Sequence, residues 1–275
     1  MSTKEINWTT SDGISIYGKV WNTTETPKYV ICLVHGMGEH INRYEHVAHF
    51  FNKNNIAVFG YDQRGHGKSG GQRGHFPSFD IFLDDVTLFI QQVDKEFPNI
   101  KKILMGHSMG GNVIGNYLIK RNQNFSGAIF SSPYLELAFT PPAIKLSLGK
   151  LMKGLLPSLA LPSGLDASAI SRDKTVVDNY LKDKLVHDKI SAIMGVEMIE
   201  TGKDVINQAN KIKIPVLVYH GTADRLTSHD GSQKFAKNVG SNATFISYDG
   251  LYHETHNEPE KDKVFENIIL WIDKL

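Results

Sequence analysis

The tightest constraint in this 275-residue chain is the pentapeptide Gly106-His107-Ser108-Met109-Gly110, set between the apolar run Ile103-Leu104-Met105 and the helix-compatible run Val113 to Ile119. A strand must turn directly into a helix there. A serine on so sharp a turn holds its Oγ clear of the backbone, and glycines at Gly106 and Gly110 remove the Cβ atoms that would collide. The spacing G-x-S-x-G is weak alone; the strand-turn-helix context makes Ser108 a candidate nucleophile.

Around that turn the chain alternates. Ile14 to Trp21, Tyr29 to Val34, Ile56 to Tyr61, Ile103 to Met105, Ala128 to Phe130, Ile214 to Tyr219 and Thr244 to Tyr248 are short and rich in β-branched or aromatic residues, with Gly, Pro, Asn or Asp at their borders. Phe79, Phe82, Leu83, Val86, Phe89, Val93 and Phe97 recur at three- and four-residue steps, as do Val264, Phe265, Ile268, Ile269 and Ile272. The pattern predicts an α/β fold with a largely parallel central sheet, helices on both faces, and reactive groups on loops at the carboxyl ends of the strands.

The strand signal stops between about residues 133 and 211. Leu135 to Leu165 holds four prolines and many leucines, with Lys145, Lys150 and Lys153 among them; Leu181, Leu185, Ile190, Ile193, Met194 and Met198 read as helix. A crossover needs only a dozen or so residues, so this stretch is expected to be a helical cap or lid inserted over the sheet. The expected organisation is a core over residues 1–132, the cap over 133–211 and the rest of the core over 212–275. An apolar lid with scattered lysines suits transient contact with a membrane or micelle surface.

Composition narrows the partners. Thirty basic against 29 acidic residues leave no electrostatic footprint for nucleic acid. Met1 to Asn7 lack the apolar core of a signal peptide, and no run of about 18 apolar residues could span a bilayer, so a cytoplasmic, peripherally membrane-associated protein is expected. The single cysteine, Cys32, excludes an internal disulfide and reads as a buried filler of its strand.

Three further clusters supply what a serine nucleophile needs. His220-Gly221-Thr222-Ala223-Asp224-Arg225-Leu226 follows one predicted strand, which places Asp224 where an orienting acid belongs. Gly250-Leu251-Tyr252-His253-Glu254-Thr255-His256 follows the next, so His253 or His256 can reach Ser108 as the base. The order Ser, Asp, His is that of the strand-turn-helix serine enzymes. His35-Gly36-Met37-Gly38-Glu39-His40 ends the Tyr29 to Val34 strand, and the N–H groups of Met37 and Met109 are candidate oxyanion donors. His35 and His107 are expected to pack around these loops. Asp62 to Ser69 lacks the spacing of a phosphate-binding loop and reads as a structural turn.

With these motifs in place the chain resembles the monoacylglycerol lipases of the α/β-hydrolase superfamily, a serine hydrolase group that also contains bacterial lysophospholipases and plant caffeoylshikimate esterases. The resemblance is carried by His35 to His40 with Arg43-Tyr44, Asp62 to Ser69, Gly106 to Gly111, His220 to Leu226, and Tyr252-His253 with His256. The cap adds Leu165-Asp166, Ser171-Arg172-Asp173 and Leu185-Val186-His187-Asp188. It implies a catalytic set of Ser108, Asp224 and His253, oxyanion donors at Met37 and Met109, and a glycerol-binding end made by Glu39, Arg43 and His256. Glu39 and Arg43 also fit an ion pair at a helix start, and His256 a supporting position. Some relatives carry cysteines near the lid; the only one here is Cys32. The implied activity is cleavage of monoacylglycerol to glycerol and fatty acid through an acyl-enzyme, with no metal or organic cofactor. The alternatives are a lysophospholipase or small-ester carboxylesterase with the same triad, and an inactive hydrolase fold acting as a binding protein.

Overall fold

The computed structural model describes residues 2–275; Met1, which heads the opening segment read above for a leader, lies outside them. The chain opens with β1 (Ser2–Thr9), β2 (Ser15–Asn22) and β3 (Tyr29–Val34), then α1 (Glu45–Lys53), β4 (Ile56–Tyr61), α2 (Phe79–Glu96), β5 (Lys101–His107), α3 (Met109–Lys120) and β6 (Gly127–Ser131). Between β6 and the next sheet strand come α4 (Ala143–Leu155), β7 (Ala160–Pro162), α5 (Lys174–Lys182), β8 (Lys189–Ser191) and α6 (Ala192–Gln208). The chain closes with β9 (Val216–Gly221), α7 (His229–Val239), β10 (Ala243–Tyr248) and α8 (Lys261–Ile272).

Eight strands form one sheet in the order β1-β2-β4-β3-β5-β6-β9-β10. β2 runs antiparallel to both β1 and β4, and every other pairing is parallel. The carboxyl ends of β3, β5, β6, β9 and β10 therefore meet along one edge. Alternation along each strand divides the core in two. In β3, Val30, Cys32 and Val34 face the layer of α2, α3, α6 and α7, while Ile31 and Leu33 face α1 and α8. Such double coverage explains why the parallel strands read as unbroken apolar runs.

Several elements escape the sequence pattern. β1 carries Lys4 and Glu5 exposed at the sheet edge, and only Ile6 and Trp8 turn inward, with Trp8 stacked on Phe89 at 6.3 Å. α1 and α7 lie outside the periodic runs read as helices, although the alternative reading of Glu39 and Arg43 places a helix start just before α1. The expected absence of strands over residues 133–211 is corrected by β7 and β8, which pair antiparallel over three residues each, too short to leave a periodic signal. The turn from Asp62 to Ser69 is structural as read: Asp62 accepts from the N–H groups of Ile41 and Lys68, and Arg64 is clamped between Asp12 and Asp85.

Candidate active site

Ser108 caps α3 directly after β5, with φ 51° and ψ −117°. For a residue with a Cβ this is a strained backbone, and it persists only where the surroundings enforce it. The enforcement is visible. Ser108 N–H donates to the Ser131 carbonyl at 3.0 Å, and the Ser108 carbonyl accepts from Gly111 N–H at 2.9 Å and Tyr134 N–H at 2.8 Å. A Cβ at Gly106 would meet the Gly110 carbonyl, and one at Gly110 the Val34 carbonyl, so the serine is carried on backbone packed too closely for any other residue at either flank.

Asp224 and His253 come together from the loops after β9 and β10. Asp224 Oδ2 accepts from His253 Nδ1 at 2.7 Å, which leaves Nε2 as the free ring nitrogen. The Asp224 side chain is fully buried and its carboxylate is richly served: Oδ2 also meets His220 Nε2 at 2.9 Å and the Thr227 hydroxyl at 2.9 Å, while Oδ1 accepts from the N–H groups of Leu226 and Thr227. Burial alone would raise the Asp224 pKa, but His253 and His220 outweigh it and hold the carboxyl well below the usual range. Burial likewise opposes charge on His253, and the Asp224 carboxylate overcomes it, so this imidazole sits above its ordinary value. His107, a neighbour at 4.8 Å between ring centres, is pushed far below by burial and stays neutral.

The loop after β3 presents its main chain. Gly36 N–H donates to Glu39 Oε1 at 2.6 Å. Among the described residues neither Met37 N–H nor Met109 N–H finds a protein acceptor; Met109 opens α3, where the helix leaves its first donors free. Glu39 is buried and also accepts from Tyr44 Oη at 2.7 Å and Arg43 Nη1 at 2.6 Å. Arg43 continues to a second buried carboxylate: Nη1 donates to Glu254 Oε1 and Nη2 to Oε2, both at 2.7 Å. Burial raises the Glu39 pKa despite Arg43; Glu254, opposed by burial but gripped twice by Arg43, is lowered to about 2.

A cavity of about 530 Å³ lies over these loops, with Ser108, His253, Met37, Glu39 and Glu254 in its wall. Leu137, Phe139, Pro141, Ile190, Ile199 and Leu226 add apolar surface. Arg43 and His256, given above to the glycerol-binding end, are not in the wall. Arg43 is drawn behind it by its two carboxylates. The His256 ring is stacked on Tyr44 at 5.0 Å and meets His107 edge-on at 4.8 Å, with both nitrogens unpartnered. Sequence reasoning missed Glu254 and His220. Each lies inside a motif already quoted, but only the fold pairs Glu254 with a residue 211 positions away.

Among the described residues no group of three or more His, Cys, Asp or Glu side chains is arranged to hold a metal ion, and no helix is long and apolar enough to cross a membrane. Cys32 is buried in β3, and burial pushes its thiol pKa up.

A mostly parallel sheet that carries a strained serine at its β5–α3 turn, with acid and histidine on the loops after later strands, defines the α/β-hydrolase class. Residues 25–260 match the Hydrolase_4 family model, described as serine aminopeptidase, S33. The chain belongs to this family and is a carboxylic ester hydrolase. It is 34% identical over 262 residues to the monoacylglycerol lipase of Mycolicibacterium smegmatis, covering 94% of this chain and 93% of that one. The crystal structure of Paleococcus ferrophilus monoacylglycerol lipase superposes with a TM-score of 0.84 at 32% identity, covering 93% of this chain and 97% of the other. An uncharacterized abhydrolase domain-containing protein of Dictyostelium discoideum is 36% identical over 275 residues; the match takes in 99% of this chain but only 29% of that longer protein.

Proposed function

We propose that the chain hydrolyses monoacylglycerol to glycerol and a free fatty acid through an acyl-enzyme on Ser108. The observation that carries this reading is the strained Ser108 in one cavity wall with His253, whose Nδ1 is bound to buried Asp224. Ser108 Oγ attacks the ester carbonyl carbon as its proton passes to His253 Nε2, and Asp224 stabilises the imidazolium. The N–H groups of Met37 and Met109 receive the oxyanion. Collapse breaks the acyl–oxygen bond, and the departing glycerol oxygen takes the proton from His253. Water then repeats the sequence against the acyl-enzyme, with His253 again as base, and releases the fatty acid and Ser108.

The likeness to two monoacylglycerol lipases along most of the chain supports this substrate. So do Glu39 and Glu254, whose carboxylates stand in the cavity wall as acceptors for glycerol hydroxyls. Lysophosphatidylcholine offers them one free hydroxyl instead of two, and sets a phosphodiester anion against two carboxylates. The test is an activity panel of mono-, di- and triacylglycerols, lysophosphatidylcholine and short p-nitrophenyl esters, with fluorophosphonate labelling of Ser108. Monoacylglycerol should lead the panel. Faster turnover of lysophosphatidylcholine would replace this substrate with its rival, and failure to label Ser108 would remove the nucleophile.

The pH dependence has a definite sign. His253 must be neutral to accept a proton and its pKa is raised, so kcat/KM should fall as pH drops through a midpoint above the imidazole reference of about 6.5. A flat profile between about pH 5 and 9 would contradict a histidine base.

We read the segment over residues 133–211 as a lid that meets lipid through α4. No residue of α4 is buried, and Leu151 and Leu155 are 57% and 67% exposed beside Lys150 and Lys153. Changing Leu151 and Leu155 to serine should weaken flotation with liposomes and slow long-chain substrates about threefold or more, while sparing soluble short esters. Equal losses on both substrate types would assign these leucines to packing instead.

A further inference from the structure

The Asp224 carboxylate has a second buried histidine that the reaction as described does not use. His220, the next-to-last residue of β9, has no exposed surface; its Nε2 lies 2.9 Å from Asp224 Oδ2 and its Nδ1 lies 2.8 Å from Ser232 Oγ, on α7. The carboxylate oxygen can only accept, so Nε2 carries the hydrogen; Nδ1 is then the acceptor and Ser232 the donor. Asp224 thereby fixes the tautomer, and Ser232 anchors the other side of the ring. Oδ2 is shared among His220 Nε2, Thr227 Oγ1 and His253 Nδ1, at 2.9, 2.9 and 2.7 Å.

We propose that His220 is a positioning residue that, anchored by Ser232, aims the Asp224 carboxylate at His253 and draws off part of its charge, so setting the pH at which the base becomes active. The proposal rests on the reading of Ser108, Asp224 and His253 as the reacting set.

The sign follows from the sharing. Each donor on Oδ2 disperses negative charge that would otherwise hold the His253 imidazolium. Removing His220 Nε2–H concentrates that charge on the His253 bond and raises the pH needed to free the base. Burial keeps His220 below the usual imidazole range, so it acts as a neutral donor and adds no positive charge. The other titratable groups facing this set are His229 from α7, 5.8 Å from His220, His107 from β5 and His256, with Glu254 and Glu39 acting on His253. None of them touches Oδ2.

The test measures kcat/KM for monoacylglycerol, and the rate of fluorophosphonate labelling of Ser108, across pH for wild type, His220→Ala, His220→Gln and Ser232→Ala. In His220→Ala the acid-limb midpoint should move up by about half a unit and looser aim of Asp224 should lower activity at every pH. The combined loss should be about threefold near pH 8 and about tenfold near pH 6. KM should stay within about twofold, because His220 does not line the cavity. Glutamine can place an N–H at the same point, so His220→Gln should restore the wild-type midpoint. Ser232→Ala, which removes the donor to Nδ1 and loosens the ring against Asp224, should shift the midpoint upward by a smaller amount, and it carries the test if His220→Ala unfolds. A loss that is uniform with pH, or a glutamine variant no better than alanine, overturns the role of His220 and leaves the reacting set standing. Wild type that does not label at Ser108 overturns the reacting set, and this proposal with it.

Discussion

On the mechanism proposed above, replacing Ser108 by alanine is expected to lower kcat by about ten-thousandfold or more while leaving KM and the fold unchanged, because the cavity is intact but no acyl-enzyme can form. Ser108→Gly should be equally inactive but more stable. At φ 51° and ψ −117° any residue with a Cβ carries strain of about 1 to 3 kcal/mol, whereas glycine adopts such angles freely. Glycine also gains more freedom in the unfolded chain, at a cost of about 0.5 to 1 kcal/mol, so the net gain should be about 1 kcal/mol in denaturant unfolding. Hydrolysis by either purified variant near the wild-type rate would displace Ser108 as the nucleophile. A glycine variant no more stable than alanine would show that the turn is not where strain is stored.

The strand-turn-helix signal around Ser108 was legible because each part is local: an apolar run, two glycines packed against backbone, and a helix start. Asp224 and His253 were legible for the same reason, each a few residues beyond an apolar strand. What the sequence hid is pairing at a distance. β1 gives no signal because an edge strand with Lys4 and Glu5 outward buries only Ile6 and Trp8. β7 and β8 are too short for a period. His256 reads as a headgroup residue by its place in the motif just after His253, yet Tyr44 and His107 take its ring into the interior. Glu254 could not be matched with Arg43 from spacing alone, since only the approach of the β10 loop to the start of α1 brings them together.

That approach leads to the largest stability effect expected in the molecule. Arg43 is a strut between the two loops that flank Ser108. On one side Glu39 links it to Gly36 N–H, next to Met37; on the other, Glu254 is the residue after His253. All three side chains are at most 10% exposed. Arg43→Met leaves two buried carboxylates facing each other without a counter-charge, and losing one partner of such a network costs about 3 to 5 kcal/mol. The loss should depend on pH. Without Arg43 both glutamates have folded-state pKa values above the unfolded ones, so the variant is penalised least below the unfolded glutamate value of about 4.3 and increasingly as pH rises through the raised folded values. Wild type behaves oppositely at Glu254: its lowered pKa, about 2, contributes stability above the unfolded value that fades as pH falls toward the folded one. Denaturant unfolding of both proteins between about pH 5 and 8 should therefore show a gap that widens with pH, together with a fall in kcat on short and long esters alike. Lysine cannot grip Glu254 with two nitrogens while reaching Glu39, so Arg43→Lys should fall between the two. If Arg43→Met unfolds with wild type at pH 8 and loses activity only on glycerol esters, Arg43 serves the headgroup rather than the loops.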